Sequence, residues 1–158
     1  MQKVLNEKPK ITHKKNENTS DLRIFKKEKI FFALNKIGLR LSPKRGRMKI
    51  PAKYFKKELF PFILKGLFDT DGCLNIFKNN GVPYPRIEIK ICPSPAQNQF
   101  IIIVDKLGFK YRVQNLDKGK IRIRISGIKE LKKWFEIVGS SNIIHIEKAS
   151  RFLKEKPL

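Results

Sequence analysis

Two aspartates, Asp69 and Asp71, stand two positions apart at the end of an apolar run, Phe60-Pro61-Phe62-Ile63-Leu64-Lys65-Gly66-Leu67-Phe68. Carboxylates are donors that hard divalent cations take. A bound divalent ion can activate water and stabilise a leaving oxygen in phosphodiester hydrolysis. The run before the acids reads as a helix. Pro61 suits its first turn, where a missing N–H is no loss. Apolar residues on nearly every side require that such a helix be buried or packed on a partner. Gly66 in its middle costs about 1 kcal/mol relative to alanine, and close approach of a second helix is the expected compensation. Gly72 is expected to take the left-handed conformation that ends helices. The two acids then lie at the negative end of the macrodipole, a conflict that a cation would relieve.

The whole chain bounds what this site can act on. It has 158 residues and a net charge of +22, with 41% hydrophobic residues. That length suits one domain, or one domain with an arm. The apolar content is enough for a core, which excludes a disordered polycation. So positive a field favours a polyanion, with nucleic acid as the first candidate. Cys73 and Cys92 form no Cys-x-x-Cys pattern and are expected to stay thiols in an intracellular protein. The first residues are polar and charged, unlike a signal peptide, and no apolar run is long enough to span a membrane. Residues 1–58 carry 18 Lys and Arg against 5 acids and are expected to form a basic N-terminal segment. Within it, residues 1–20 read as a flexible arm, Asp21 as the cap of a helix to about Ile37, and Gly38 as its stop. A cation-dense loop, Ser42 to Lys49, then leads toward the apolar helix.

Beyond Gly72 the pattern changes to period two, the strand signature. Leu74 and Ile76 alternate with Asn75, Phe77 and Asn79, and Asn79-Asn80-Gly81 marks a hairpin turn. The return strand sets Ile87, Ile89 and Ile91 against Arg86, Glu88 and Lys90. Ser94-Pro95 opens a helix to about Leu107, stopped by Gly108. Tyr111 and Val113 oppose Lys110, Arg112 and Gln114. After an Asp117-Lys118-Gly119 turn, Ile121, Ile123 and Ile125 oppose Lys120, Arg122 and Arg124. Helices from about Ile128 to Val138 and from about Asn142 onward complete the order. An antiparallel sheet with helices on one face leaves the other free. That free face would carry Asn75, Asn79, Arg86, Glu88, Lys90, Lys110, Arg112, Gln114, Lys120, Arg122 and Arg124. Such side chains contact phosphates and read base edges, arginine to guanine and glutamine or asparagine to adenine. A β-ribbon fits the major groove. The plainer reading is a solvated charged face, but Glu88 is a lone acid among ten cationic or amide residues.

Leu64-Lys65-Gly66-Leu67-Phe68-Asp69-Thr70-Asp71-Gly72 resembles the LAGLIDADG motif of homing endonucleases at the leucine, both glycines, the apolar pair and both acids. Lys65 departs from the small residue usual at the second place. The element order over residues 59–158 is similar to the αββαββα unit of that family. The resemblance implies an α+β fold with a curved antiparallel sheet as the DNA-binding face. It also implies metal-dependent, staggered double-strand cleavage of DNA, with Mg²⁺ or Mn²⁺ held by Asp71 and neighbouring backbone at Gly72, and Asp69 supporting the helix end. With one motif, two cutting centres require a homodimer joined at Leu64, Gly66 and Leu67, acting on a near-palindromic site. A basic residue near the start of the last helix normally lines such a site; depending on register the place falls on Ile144, His145 or Lys148. Gln97 is a further candidate for positioning water. Other readings are a DNA-binding relative that does not cut and an RNA-binding helper of intron splicing. The chain ends Glu-Lys-Pro-Leu rather than His-Asn, so it is not expected to be a complete intein.

Overall fold

Strict alternation in the strands sets the layers. A computed structural model of the chain describes residues 10–13, 20–23, 26–38 and 46–155. The chain divides into two compact units, Met1–Lys44 and Arg45–Leu158.

In the first unit, β1 (Lys10–His13) pairs antiparallel with β2 (Ser20–Arg23), in the register Lys10 to Arg23. The helix α1 spans Lys27–Ile37 and ends at Gly38, whose φ of 74° is the left-handed stop expected there. The start of this helix differs from expectation. Asp21 lies in β2, opposite Thr12, and Lys26 occupies the cap position. Cross-strand pairing therefore overrides the local capping signal of Asp21. No residue of α1 is buried. Most of the expected arm and the loop residues 42–45 lie outside the described residues.

The second unit begins earlier than the expected boundary at 58. Residues 46–58 belong to it because their backbone is tied to it. Gly46 donates to the Pro93 carbonyl, and Ala96 donates to that of Met48. The Gln99 side-chain amide brackets Ile50, accepting from its N–H at 2.8 Å and donating to its carbonyl at 3.0 Å. Met48, Ile50 and Phe55 then pack against the core.

After that strap come α2 (Phe60–Asp71), β3 (Gly72–Asn79), β4 (Val82–Ile91), α3 (Ala96–Lys106), β5 (Tyr111–Asn115), β6 (Ile121–Ser126), α4 (Ile128–Ile137) and α5 (Ile143–Glu155). This is the αββαββα order with one further helix. The four strands form one antiparallel sheet in the order β3-β4-β6-β5. The hairpin turn works as its residues require, with φ of 51° at Asn80 and 79° at Gly81. Ile87, Ile89, Ile91, Ile121, Ile123 and Ile125 all point into the core. The helices cover that face, and Trp134 sits at its centre. Its ring meets Phe68 edge-on at 5.0 Å and Phe109 at 5.4 Å, while its indole N–H donates to the Gly139 carbonyl. Aromatic clusters of this kind carry both large buried area and geometric preference.

The apolar helix α2 is spent unevenly. Leu64 and Phe68 are fully buried beneath it, whereas Phe62 is 70% exposed. Phe62, Gly66 and Thr70 form an open stripe at four-residue spacing. A Cβ built at Gly66 would meet nothing within 4 Å, so packing among the described residues gives no reason for glycine there. Leu64, expected at a contact between chains, is instead enclosed in the core of its own chain. Gly72 also differs from expectation. Its φ of −92° and ψ of 165° are extended, not left-handed. The glycine is needed for close approach: α2 passes into β3 with no loop, and a Cβ at Gly72 would lie 2.4 Å from the Phe68 ring and 2.7 Å from its carbonyl oxygen.

These two glycines make opposite predictions. Gly72→Ala should destabilise the fold by about 2–3 kcal/mol through overpacking against Phe68. Gly66→Ala should stabilise the isolated chain by about 0.5–1 kcal/mol through helix propensity. Urea unfolding at concentrations low enough to keep the chain monomeric measures both.

Candidate active site and nucleic-acid interface

The two motif acids have separate roles, set by where α2 ends. Asp69 accepts hydrogen bonds from the Ser140 hydroxyl and, at 2.9 Å, from the Ser141 backbone N–H. These donors lie just ahead of α5, whose first turn is capped by Asn142 Oδ1 accepting from the Ile144 N–H at 3.1 Å. Asp69 thus faces the N-terminal end of α5, where donors and dipole favour an anion. Partial burial would raise its carboxyl, but the hydrogen bonds at Ser140, Ser141 and Asn142, with Lys65 nearby, hold it below the usual carboxylate value.

Asp71 is exposed. The Thr70 hydroxyl lies 3.0 Å from its Oδ2 and 3.1 Å from the Gly66 carbonyl, and its single hydrogen serves one acceptor at a time. The Asp71 carboxylate is therefore available to an outside cation. Gly72, the other expected metal neighbour, donates its N–H to the Phe68 carbonyl. Among the described residues, no three His, Cys, Asp or Glu side chains cluster as a metal site. The hard oxygen of Asp71 suits Mg²⁺ as one ligand.

Two expected catalytic residues are committed elsewhere. His145 is buried and lies against the Phe68 ring, with centroids 4.3 Å apart. Burial pushes its imidazole below the ordinary value, Asp69 opposes that shift, and Lys148 adds to it. It is a buried residue lying on the core, with an unpartnered Nδ1. Gln97 uses its amide N–H groups to hold the Ile91 and Gly119 carbonyls, at 3.2 and 2.9 Å. It fastens the end of β4 to the turn before β6, so those donors cannot also orient a water. Lys148 is exposed on α5, as are Ile143 and Ile144 at its start.

On the sheet the expected alternation holds, and it brings the charged residues together in rows. Arg86, Glu88 and Lys90 of β4 lie beside Ser126, Arg124 and Arg122 of β6. Arg112 and Gln114 of β5 lie beyond Arg124 and Arg122. Lys110 and Lys120 are exposed at the strand ends, and Asn75 is on β3 opposite Arg86. The side chain of Asn79 is outside the described set. Glu88 is not an open contact: it is 8% exposed, with Oε1 2.8 Å from Arg124 Nε and 3.8 Å from Arg86 Nη1. Two arginines cover it.

An aromatic pair that was not among the expected contacts lies on the same face. Phe77 of β3 pairs with Tyr84 of β4, and the Arg86 guanidinium lies 4.4 Å from the Phe77 ring centroid. With Arg112, Arg124 and Lys110 they line a concavity of roughly 570 Å³. The signal was available, because Phe77 shares the parity of Asn75. The alternation places Phe77 on the face of Asn75 and Asn79, and no role was expected of it there.

The roles of Asp69 and Asp71 predict different responses. Asp69→Asn should cost about 1 kcal/mol, through weakened hydrogen bonds to the α5 end. An acid held below its ordinary value stabilises the fold above about pH 4 and loses that contribution as pH falls through the lowered folded value. The gap between the parent and Asp69→Asn should therefore shrink in acid. Asp71→Asn should leave the unfolding midpoint unchanged. Denaturation followed from pH 7 to pH 3 checks all three.

No protein-family model matches the chain, and no curated protein matches it. Solved structures do resemble it. The homing endonuclease I-CvuI, crystallised with its target in the presence of calcium, is 19% identical with a TM-score of 0.48, over 62% of this chain and 65% of that one. The LAGLIDADG meganuclease I-AabMI, bound to uncleaved DNA, is 15% identical with a TM-score of 0.46, over 60% of this chain and 37% of that one. The homing endonuclease I-TnaI is 20% identical with a TM-score of 0.45, over 60% and 71%. This chain thus spans about 65% of the length of I-CvuI. The structures it resembles are those of homing endonucleases.

Proposed function

We propose that this chain is a site-specific, metal-dependent DNA endonuclease of the LAGLIDADG type, working as a homodimer. The observation that carries the reading is the junction at residues 71–72. An exposed carboxylate at the end of α2 leads directly into the first strand of a sheet whose open face is cationic. A groove-binding surface and a candidate metal ligand are therefore continuous in the chain. The basic first unit would add affinity for phosphates that does not depend on sequence.

Asp71 would contribute a carboxylate to the metal, and a second copy would contribute its own across a two-fold axis. When bound, the ion would lower the pKa of a water and offset charge on the departing oxygen. The chain's own residues do the rest. Asp69 and the α5 end hold the helix terminus, so that Asp71 is presented outward. Lys90, Arg112 and Arg122 neutralise phosphates or meet base edges, and they fix the register of the duplex against Asp71. The stripe of Phe62, Gly66 and Thr70 supports the dimer, because isologous packing puts the same residues on both sides. Gly66 would let the two backbones approach.

A second reading has its own support. His145 is buried and Ile143 and Ile144 are exposed where a basic group would be expected, which favours a DNA-binding relative that no longer cuts.

Incubation of a plasmid carrying a selected site with Mg²⁺ separates the two readings. On the endonuclease reading, staggered double-strand breaks form, and Asp71→Asn abolishes them while binding survives. Cleavage by Asp71→Asn at the parental rate would overturn the metal role of Asp71. Affinity should fall steeply with salt as counterions are released. Gly66→Leu should separate the chains and end cleavage; sedimentation showing a cutting monomer would exclude the homodimer.

A further inference from the structure

In the middle of the sheet, the charged face is wired so that its two acceptor side chains, Glu88 and Gln114, are taken up by arginines. Arg124 lies at the centre of that wiring. Its Nε donates to Glu88 Oε1 at 2.8 Å, and its Nη2 donates to Gln114 Oε1 at 3.1 Å. The second contact fixes the orientation of Gln114. Arg122 Nη1 also approaches Gln114 Oε1, at 3.4 Å. Guanidinium groups donate and never accept. The amide atom facing two of them must therefore be the oxygen, and the NH₂ group is turned outward.

This arrangement changes what each residue can read. An amide recognises adenine by accepting from N6 and donating to N7 together. Gln114 has committed its acceptor to the arginines, so it offers only donors. A carboxylate recognises cytosine by accepting from N4. Glu88 is covered, and its Oε1 is occupied by Arg124. Arg124 has used its Nε and one hydrogen of Nη2; three of its five donors are left, and the edge formed by its two terminal nitrogens keeps a hydrogen on each for a base. That edge matches the paired acceptors O6 and N7 of guanine. Lys90 and Arg122, in the adjoining row, are donors too.

We propose that the Glu88–Arg124–Gln114 network makes the middle of the sheet a guanine reader, with Glu88 as a positioning residue and Gln114 as a donor rather than an adenine contact. This rests on the reading of the sheet as a duplex-DNA surface and deepens it. The class of site that follows is one with neighbouring guanines on one strand in each half. Cytosine and adenine present an amino donor in the groove and are disfavoured opposite this row.

Selection of randomised duplexes by the full-length protein, without metal so that binding alone is read, tests the proposal. The parent chain should enrich neighbouring guanines. Arg124→Lys should relax one of those positions. Glu88→Ala should relax the same position by roughly tenfold, within the range of a good bidentate contact. It should also hold or raise affinity for unselected DNA, since an acid leaves a cationic face. Simple loss of folding would lower both affinities together, so the split identifies positioning. Glu88→Gln, which keeps an acceptor for Arg124 Nε, should restore part of the preference. Gln114→Met, at an exposed strand position, should relax it without disturbing the core. Enriched duplexes lacking guanine, or a preference unchanged in both Glu88→Ala and Gln114→Met, would overturn the proposal. Failure to enrich any duplex would overturn the DNA reading itself, and this inference with it.

Discussion

The hydrogen bonds from Ser140 and Ser141 to Asp69 join the two helix ends on which the candidate site depends. Each end alone is electrostatically incomplete. The C-terminal end of α2 would carry an acid against its own dipole, and the N-terminal end of α5 would have N–H groups without partners. Joined, each corrects the other. The cation expected to relieve the first acid is thereby unnecessary for Asp69, whose charge is met by the α5 end. The same junction places α5 so that His145 lies on Phe68, closing the core under the helix terminus.

The sheet divides its work by parity. One face is a run of isoleucines under four helices, and the other is a set of cations with one covered acid between them. Close like charges on neighbouring strands repel, and Arg112 stands directly beside Arg124. Glu88 and Gln114 offset that repulsion by accepting from the arginines. They order long side chains that would otherwise each have many rotamers, so less freedom is lost when the face binds a partner.

Much of this was legible in the chain itself. Alternation in β4 and β6 located both faces, and Asn80-Gly81 located the hairpin, because each signal is local and has a direct steric cause. The nine residues from Leu64 to Gly72 located the helix and its acids. What escaped depends on distant partners. Asp21 carries a good capping side chain, but pairing with β1 decided its structure. Gln97, His145 and Leu64 have the residue types of a site, and only the packed fold shows them spent on Gly119, Phe68 and the core. Glu88 reads as a base contact until Arg124, 36 positions away, is found covering it. Gly72 is necessary where the motif puts it, but a ring four residues earlier, not a left-handed turn, excludes a side chain there.

The strand order has a consequence for how the molecule comes to exist. The pairs β3-β4 and β5-β6 are each closed by a short turn, whereas β4 meets β6 only after α3 and β5 have been placed between them. The two hairpins can zip early and independently, because closing a short loop has a small entropic cost. Docking them is the slow, non-local event. Glu88 rides on the first hairpin, with Arg124 and Gln114 on the second, so their contact forms at that docking. A nascent chain stalled before it would hold two half-made basic ribbons with exposed hydrogen-bonding edges, a sticky intermediate in the presence of polyanions. The cationic face is therefore among the last features to be assembled, and its buried acid is also the seam that tells one ribbon where to meet the other.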